Sequence, residues 1–208
     1  MPIGELRPRA LAPSRSVVRV ARKPRIEVPG GTFHIAARGV HEESIFETRR
    51  ERRFHRLLLA QAVRRFGWIC IAFCQMGMHF HLVLVTPEPT LARGMQFLNG
   101  EYAGFVNATR DRAGHLFGGR YWSTLIETDP HLLETCRYVV LNPVRAGLCR
   151  RPEEWPWSSF AATAGLARAP RFLATERQLG LFGPRRDAAR LAYRTFVSEG
   201  LRQDAVRP

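Results

Sequence analysis

Two adjacent apolar runs, WICIAFCQM at 68–76 and HFHLVLVTP at 79–87, constrain the fold most strongly, because only a turn around Gly77 separates them. Each run has the length and the content of β-branched and aromatic residues that strands favour. A connection this short joins antiparallel strands, since parallel strands need a crossover of roughly a dozen residues or more. The sequence therefore predicts an antiparallel hairpin.

The segment before the hairpin predicts a strand and then a helix. TFHIAARG begins after Pro29-Gly30-Gly31 and alternates as a half-buried strand does. The stretch 43–67 follows as a helix that Gly67 ends, with a predicted apolar face made by Phe54, Leu57, Leu58 and Val63.

The segment after the hairpin continues this alternation. Residues 90–108 predict a second helix with Thr90 as its N-cap, and YWSTLIE at 121–127 predicts a further strand. Asp129-Pro130 begins a third helix, which Asn142-Pro143 is expected to end. The order β-α-β-β-α-β-α predicts an α+β fold, a ferredoxin-like antiparallel sheet with helices packed on one face.

Composition divides the 208 residues into three predicted segments. Residues 1–28 are rich in Arg and Pro and predict a basic flexible arm. Residues 29–165 carry the predicted catalytic domain, and residues 166–208 predict a basic helical C-terminal extension. This length suits one core-forming domain with appendages.

The charge balance points to a polyanionic partner. Lys and Arg number 32 against 18 Asp and Glu, which gives a formal net charge of +14. A GC-rich genome accounts for Lys23 being the only lysine, but not for the excess of positive charge. We therefore expect nucleic acid as the partner, bound through arginines that release counterions. No apolar stretch approaches the roughly 20 residues of a membrane span, and we expect a cytoplasmic protein.

His79 and His81 form half of a predicted divalent-metal site at the start of the second hairpin strand. Side chains two residues apart leave a strand on the same face, so both imidazoles point one way while Phe80 points the other. The alternative is that they are ordinary surface or core histidines, because a metal site needs a third ligand and a reacting group.

Tyr138 and Asn142 in the third predicted helix supply both missing parts. A spacing of four places them on one helical face. If that face covers the sheet beside the histidines, Asn142 offers a carbonyl oxygen to the metal and Tyr138 holds its hydroxyl against a metal-bound phosphate. Attack by this hydroxyl would exchange a phosphodiester for a phosphotyrosine, without ATP. A packing tyrosine and a helix-terminal asparagine are the alternative interpretation.

Three strings resemble one protein family. MGMHFHLVLVTP, GHLFGGRYWSTLIETD and RYVVLNPVRAGL, in that order, are similar to the single-tyrosine HUH transposases, and most closely to REP-associated tyrosine transposases of bacteria. PGGTFHIAARGV, RGMQFLNGEYAGFVN and EEWPWSSF extend the resemblance over about residues 29–163. Family members usually have Met-Pro-Asn where this chain has Met76-Gly77-Met78, which bears on the rigidity of the turn and not on the ligands.

The resemblance implies a role for each residue of the site. The family's paired histidines fall on His79 and His81, its nucleophile on Tyr138, and its third metal ligand on Asn142. It further implies a magnesium or manganese cofactor, single-stranded DNA with hairpin-forming repeats as substrate, and a 5′-phosphotyrosine intermediate. It also implies a nucleoid-associated bacterial protein, active as a monomer or a homodimer.

Other residues are weaker candidates. Arginines that flank the predicted site are candidate DNA contacts, with a solvated basic surface as the alternative for Arg120, Arg137 and Arg145. Five further residues have either a packing role or a role in the site. They are His34 in the first predicted strand, His115, His131, Trp155 and Trp157.

Three functions remain open at this point. The first is a metal-dependent transposase that cuts and rejoins single-stranded DNA through Tyr138. The second is a non-catalytic regulator that binds hairpin DNA and derives from a transposase. The third is an HUH replication initiator or relaxase, although those proteins usually carry helicase or additional histidine features that this sequence lacks.

Overall fold

A computed structural model describes residues 27–206, and the side chains as far as residue 202. Its single sheet has the strand order β2-β3-β1-β4, and every neighbouring pair is antiparallel. The strands are β1 (Gly31–Arg38), β2 (Ile69–Gln75), β3 (His79–Thr86) and β4 (Trp122–Ile126). Residues 1–26 of the predicted basic arm lie outside the described residues.

Six α-helices lie within the described residues, and three of them alternate with the strands as predicted. They are α1 (Arg49–Phe66), α2 (Leu91–Thr109), α3 (Asp129–Arg145), α4 (Phe160–Thr163), α5 (Thr175–Leu179) and α6 (Arg186–Val206). The order β1-α1-β2-β3-α2-β4-α3 confirms the predicted α+β class with its ferredoxin-like antiparallel sheet.

Helices cover both faces of the sheet, whereas the sequence analysis expected them on one. Helices α1 and α2 pack on the face that contains Leu82 and Leu84, and α3 packs on the face that contains Val83 and Val85. The reason is that β3 is apolar on both sides and is almost entirely buried. The face under α3 is also the face of His81.

Two local predictions were wrong. Helix α3 does not end at Asn142 but continues to Arg145 with Pro143 inside its last turn, where Ala146 N–H still donates to the Asn142 carbonyl at 2.9 Å. Leu57 is 60% exposed, because the buried face of α1 instead runs through residues such as Leu58 and Ala62. The sequence of α1 has more apolar residues than one helical face can bury. Spacing alone therefore assigned Leu57 to the buried face incorrectly.

The segment after α3 packs against the outer side of that helix. Phe160 of α4 and Tyr193 and Val197 of α6 form a third apolar cluster with Val140 and Leu141 of α3. Helix α3 is thus enclosed between the sheet and α6. The predicted boundary at residue 165 stays a prediction, although α6 agrees with its helical character.

Arg52 of α1 holds the turn that leads into β3. Its buried guanidinium donates to the carbonyls of Gln75 and Met76 at 2.9 and 2.8 Å, and lies against the rings of Phe46, Trp155 and Trp157. The two tryptophans therefore have packing roles. The turn sets the direction in which β3, and hence His79, begins.

We expect Arg52→Met to lower the free energy of unfolding by about 2–4 kcal/mol, because two buried carbonyls lose a charged donor. Arg53→Met is the matched control, since Arg53 is exposed on the same helix and should change stability by less than about 0.5 kcal/mol. Urea denaturation measures both variants. Equal stability of the two would show that Arg52 does not hold the turn.

Candidate active site

The site lies at the centre of the sheet, on the face that α3 covers. Within the β1–β3 ladder, His81 pairs with Ala36 and His79 pairs with Arg38, so the two imidazoles leave the same face as predicted. Their ring centroids are 5.0 Å apart and nearly perpendicular. His81 is only 6% exposed, which restricts the orientation of its ring.

Helix α3 places Tyr138 and Asn142 over these histidines. The Tyr138 ring centroid lies 5.5 Å from that of His81. The Asn142 side chain makes a hydrogen bond with His79, and its Nδ2 donates to the Tyr138 carbonyl at 3.1 Å. The structure thus brings all four predicted residues together from two distant segments.

Tyr138 differs from the other tyrosines in its exposure. All four tyrosines of the chain lie within the described residues, and Tyr102, Tyr121 and Tyr193 are buried. Tyr138 is 42% exposed although its neighbours Val139 and Val140 are fully buried. Its side chain is therefore open to an incoming substrate.

His34 is a further member of the site, which the sequence analysis left undecided between site and packing. Its Nε2 lies 3.0 Å from Nδ1 of His81, and the two rings are stacked at a 28° angle. Its ring also lies edge-on to Tyr138, with centroids 5.9 Å apart. The alternating pattern of TFHIAARG indicates which residues share a sheet face with His34. Only the pairing of β1 with β3 shows that His81 is its neighbour.

Trp122 is a residue of the site that the sequence analysis did not single out. It begins the edge strand β4, pairs with Ala36 of β1, and meets His34 edge-on with centroids 5.2 Å apart. Its side chain remains 54% exposed. A large exposed aromatic beside Tyr138 is a surface on which a planar group can stack.

Two cavities flank Tyr138, and Tyr138, His81 and Trp122 line both. One, of about 590 Å³, is also bordered by His79, Arg38 and Arg120. The other, of about 730 Å³, is also bordered by His34, Glu134, Thr135, Arg137 and Arg145. The site is thus an open groove with the tyrosine at its middle and basic side chains at both ends.

The three predicted arginine contacts have different surroundings. The Arg145 guanidinium lies over the Tyr138 ring, 5.5 Å from its centroid. Arg137 pairs with Glu134 at 2.5 Å and stacks on Phe196 of α6, which favours a packing role. Arg120 is exposed on the loop that enters β4. Their roles as DNA contacts stay predictions.

Burial keeps the site histidines neutral. It lowers the pKa of His81 to about 3, with smaller contributions from His34 and His79. It also lowers the pKa of His34 to about 4, assisted by His131. The pKa of His79 is lowered by burial, while its hydrogen bond with Asn142 acts in the opposite direction. Neutral imidazole is the form that binds metal ions.

The predicted ligands fit a divalent ion by their chemistry. Within residues 27–206 there is no group of three His, Cys, Asp or Glu side chains able to hold a metal, so a site here would consist of two imidazoles and an amide. Asn142 and His79 are already within hydrogen-bonding distance, and His81 lies beside His79. Two nitrogen ligands and one oxygen ligand leave coordination positions for phosphate and water.

The other candidate histidines do not line the groove around Tyr138. His115 is exposed and lines a third cavity of about 800 Å³ between α2 and the following loop. His131 is exposed in the first turn of α3, where its backbone N–H donates to Thr128 Oγ1.

None of the helices in the described part of the chain is long and apolar enough to cross a membrane.

Sequence comparison supports the predicted resemblance. No family model matches the chain. A protein of Haemophilus influenzae named "Putative REP-associated tyrosine transposase" is 25% identical over 111 residues, which cover 48% of this chain. The match spans 63% of the length of that relative.

Structure comparison supports the fold. A solved REP-associated tyrosine transposase bound to a REP hairpin superposes with a TM-score of 0.62 and 16% identity, over 74% of this chain and 92% of the other. A second structure, a "putative transposase" from Deinococcus radiodurans, covers 66% of this chain with 14% identity and a TM-score of only 0.40. The predicted resemblance to REP-associated tyrosine transposases, and the shared fold, are therefore confirmed.

Acidification should destabilise the protein between pH 7 and pH 5. Burial lowers the pKa values of His34, His81 and the core residue His55, that of His55 to about 3. The unfolded chain takes up protons below about pH 6.5 while the folded chain does not, so stability falls with pH. His55 alone accounts for about 2 kcal/mol at pH 5.

Chemical denaturation at pH 7.5, 6 and 5, combined with NMR titration of the histidine ring protons, measures this effect. The His55 resonance should not shift until the pH falls well below 5. A protein as stable at pH 5 as at pH 7.5 would contradict the buried, neutral state of these rings.

Proposed function

We propose that this protein is a metal-dependent transposase that cuts and rejoins single-stranded DNA through a covalent link to Tyr138. The observation that carries the proposal is the convergence of an exposed tyrosine, a histidine pair and an asparagine in one open groove. A tyrosine kept only for packing would be buried, as the other three are.

The proposed step is an exchange of phosphodiester bonds. Tyr138 Oη attacks the phosphorus, a bond between them forms, and the bond from phosphorus to the 3′ oxygen breaks. The phenolic proton is lost and the departing 3′ oxygen gains one, so no water or ATP is consumed. The product is a 5′-phosphotyrosine and a free 3′-hydroxyl, and attack by a 3′-hydroxyl of another strand reverses the step.

The neighbouring residues hold the phosphate and balance its charge. His79, His81 and Asn142 would hold a Mg²⁺ or Mn²⁺ ion, which neutralises charge on the phosphate oxygens when bound. Arg145 lies beside the Tyr138 ring, 5.5 Å from its centroid, where its cation favours an anionic phosphate in the groove. Alignment of the hydroxyl with the phosphorus supplies the remaining activation.

The proposed substrate is single-stranded DNA that forms hairpins at repeated sequences. A structural relative is bound to a REP hairpin, and the net charge of +14 suits a polyanion. One chain brings all four residues together, which supports a site built within one chain over a site shared between two chains of a homodimer. We expect it to work on nucleoid DNA.

Tyr138→Phe should abolish covalent capture of DNA, because the ring remains and the nucleophilic oxygen is lost. The protein is incubated with Mn²⁺ and labelled single-stranded hairpins from its source genome, and adducts are separated on a denaturing gel. Tyr193→Phe is the matched control, since it removes a buried hydroxyl that has no hydrogen-bond partner, and it should retain the adduct.

Two outcomes would overturn the catalytic proposal. One is an adduct that persists in Tyr138→Phe. The other is hairpin binding by the wild-type protein without any adduct, which would favour the non-catalytic regulator. His79→Ala should lose cleavage while it retains DNA binding, which separates metal chemistry from recognition.

Trp122→Ala should weaken binding of single-stranded DNA by roughly 5- to 100-fold, because an exposed indole stacks on a base next to the scissile phosphate. Trp122→Phe should retain most of the affinity. Leu191→Ala, on an exposed apolar position of α6, is the control. Fluorescence polarisation in the Tyr138→Phe background measures binding without cleavage, and equal affinities in all variants would exclude stacking.

A further inference from the structure

We propose that His34 is a positioning residue that accepts a hydrogen bond from His81 and thereby leaves Nε2 of His81 free to bind the metal. The role of this hydrogen bond in metal binding rests on the proposed function. The hydrogen bond itself is a property of the metal-free protein. His34 would not touch the metal or the DNA in this role.

The position of His34 in the sheet makes this contact rigid. Strand β1 lies between β3 and β4, and His34 pairs across the ladders with Val83 and Thr124. His81 is two residues from Val83 along β3, on the same face and diagonal to His34. Two strands held by continuous ladders thus fix the 3.0 Å separation between the ring nitrogens.

Two neutral imidazoles can share this hydrogen bond in only two ways. If His81 Nδ1–H donates to His34 Nε2, the lone pair of His81 is on Nε2. If His34 Nε2–H donates to His81 Nδ1, the proton of His81 is on Nε2 and that nitrogen cannot bind a metal. The choice of donor therefore decides whether His81 can be a ligand.

The proposed metal role requires His81 as the donor. Because Nδ1 of His81 faces His34, its Nε2 lies on the part of the ring that points elsewhere. His81 lines both cavities that flank Tyr138, so the ring is open to the groove. A ligating histidine almost always donates its second ring N–H to a fixed acceptor, and His34 is the side-chain acceptor that this structure offers.

Two other roles for His34 fit the contacts less well. If His34 Nε2 accepts the bond from His81, the proton of a neutral His34 is on Nδ1, and neither ring nitrogen is left for a metal. A base for Tyr138 would need to reach the hydroxyl, but the two rings meet edge-on with centroids 5.9 Å apart. The ligand role predicts a different Mn²⁺ affinity for one of the variants described next.

The first measurement is the tautomer of His81 in the full-length, metal-free protein. Histidine-selective ¹⁵N labelling and long-range ¹H–¹⁵N correlation at pH 7.5 identify the protonated ring nitrogen, with His81→Gln used for assignment. We expect His81 protonated on Nδ1, and a mixture of tautomers in His34→Phe. A wild-type His81 protonated on Nε2 would overturn the proposal, whatever the protein's activity.

The second measurement is Mn²⁺ affinity by electron paramagnetic resonance. His34→Phe should lower it by roughly 10- to 100-fold. His34→Gln should recover most of the affinity, because its amide oxygen can accept the bond. His115→Phe, which changes an exposed histidine elsewhere, should have no effect. Circular dichroism confirms that each variant is folded.

Failure of this inference and failure of the proposed function are distinguishable. Equal Mn²⁺ affinity in wild type and His34→Phe would refute the role of His34 while Tyr138 still forms its adduct. Loss of affinity in both His34→Phe and His34→Gln would identify His34 as a ligand instead. A wild-type protein that binds no Mn²⁺ would refute the metal chemistry, and the tautomer measurement would still test the hydrogen bond.

Discussion

The pairing of β1 with β3 at the centre of the sheet is the interaction on which the rest of the structure depends. Its ladder runs from Gly31 opposite Thr86 to Arg38 opposite His79 without a break. On one face this pairing supports the core beneath α1 and α2; on the other it brings His34 against His81. A shift of one residue in β3 would exchange its faces and move Phe80 to the position of the histidines. The hydrophobic core and the chemistry are therefore set by the same register.

Helix α3 must be rigid in position and still present a reactive side chain. Two sides of α3 are buried, which fixes the position of the helix. Cys136 and Val139 pack on the sheet, while Val140 and Leu141 pack on α4 and α6. The direction left open is that of Tyr138, which explains how a tyrosine between buried neighbours is itself exposed. Helix α6 thus influences the candidate site indirectly, because it packs on the side of α3 that faces away from the sheet.

Sequence alone predicted what depends on local spacing. The i, i+2 relation of His79 and His81 and the i, i+4 relation of Tyr138 and Asn142 follow from strand and helix geometry. The contacts of His34, Trp122 and Arg52 could not be predicted this way, since each depends on which strands pair and which segment covers an edge. The cover on both faces was missed although the continuous apolar run of β3 is the pattern of a strand buried on both sides. The resemblance to a known family connected the two halves of the site, and the strand pairing explains why they meet.

The site histidines are neutral while the whole chain is strongly positive, and this difference is consistent with the proposed chemistry. A net charge of +14 attracts a DNA strand over long distances. An imidazole that binds a cation must be unprotonated, and a positive surface assists only by disfavouring protons on nearby imidazoles. Burial is the larger cause for His81 and His34, so the sheet and α3 keep the rings neutral by excluding water. The arginines then remain at the ends of the groove, where Arg38, Arg120 and Arg145 border the two cavities. Under the proposed function, exposed charge would attract the strand, while the buried neutral imidazoles would bind the metal.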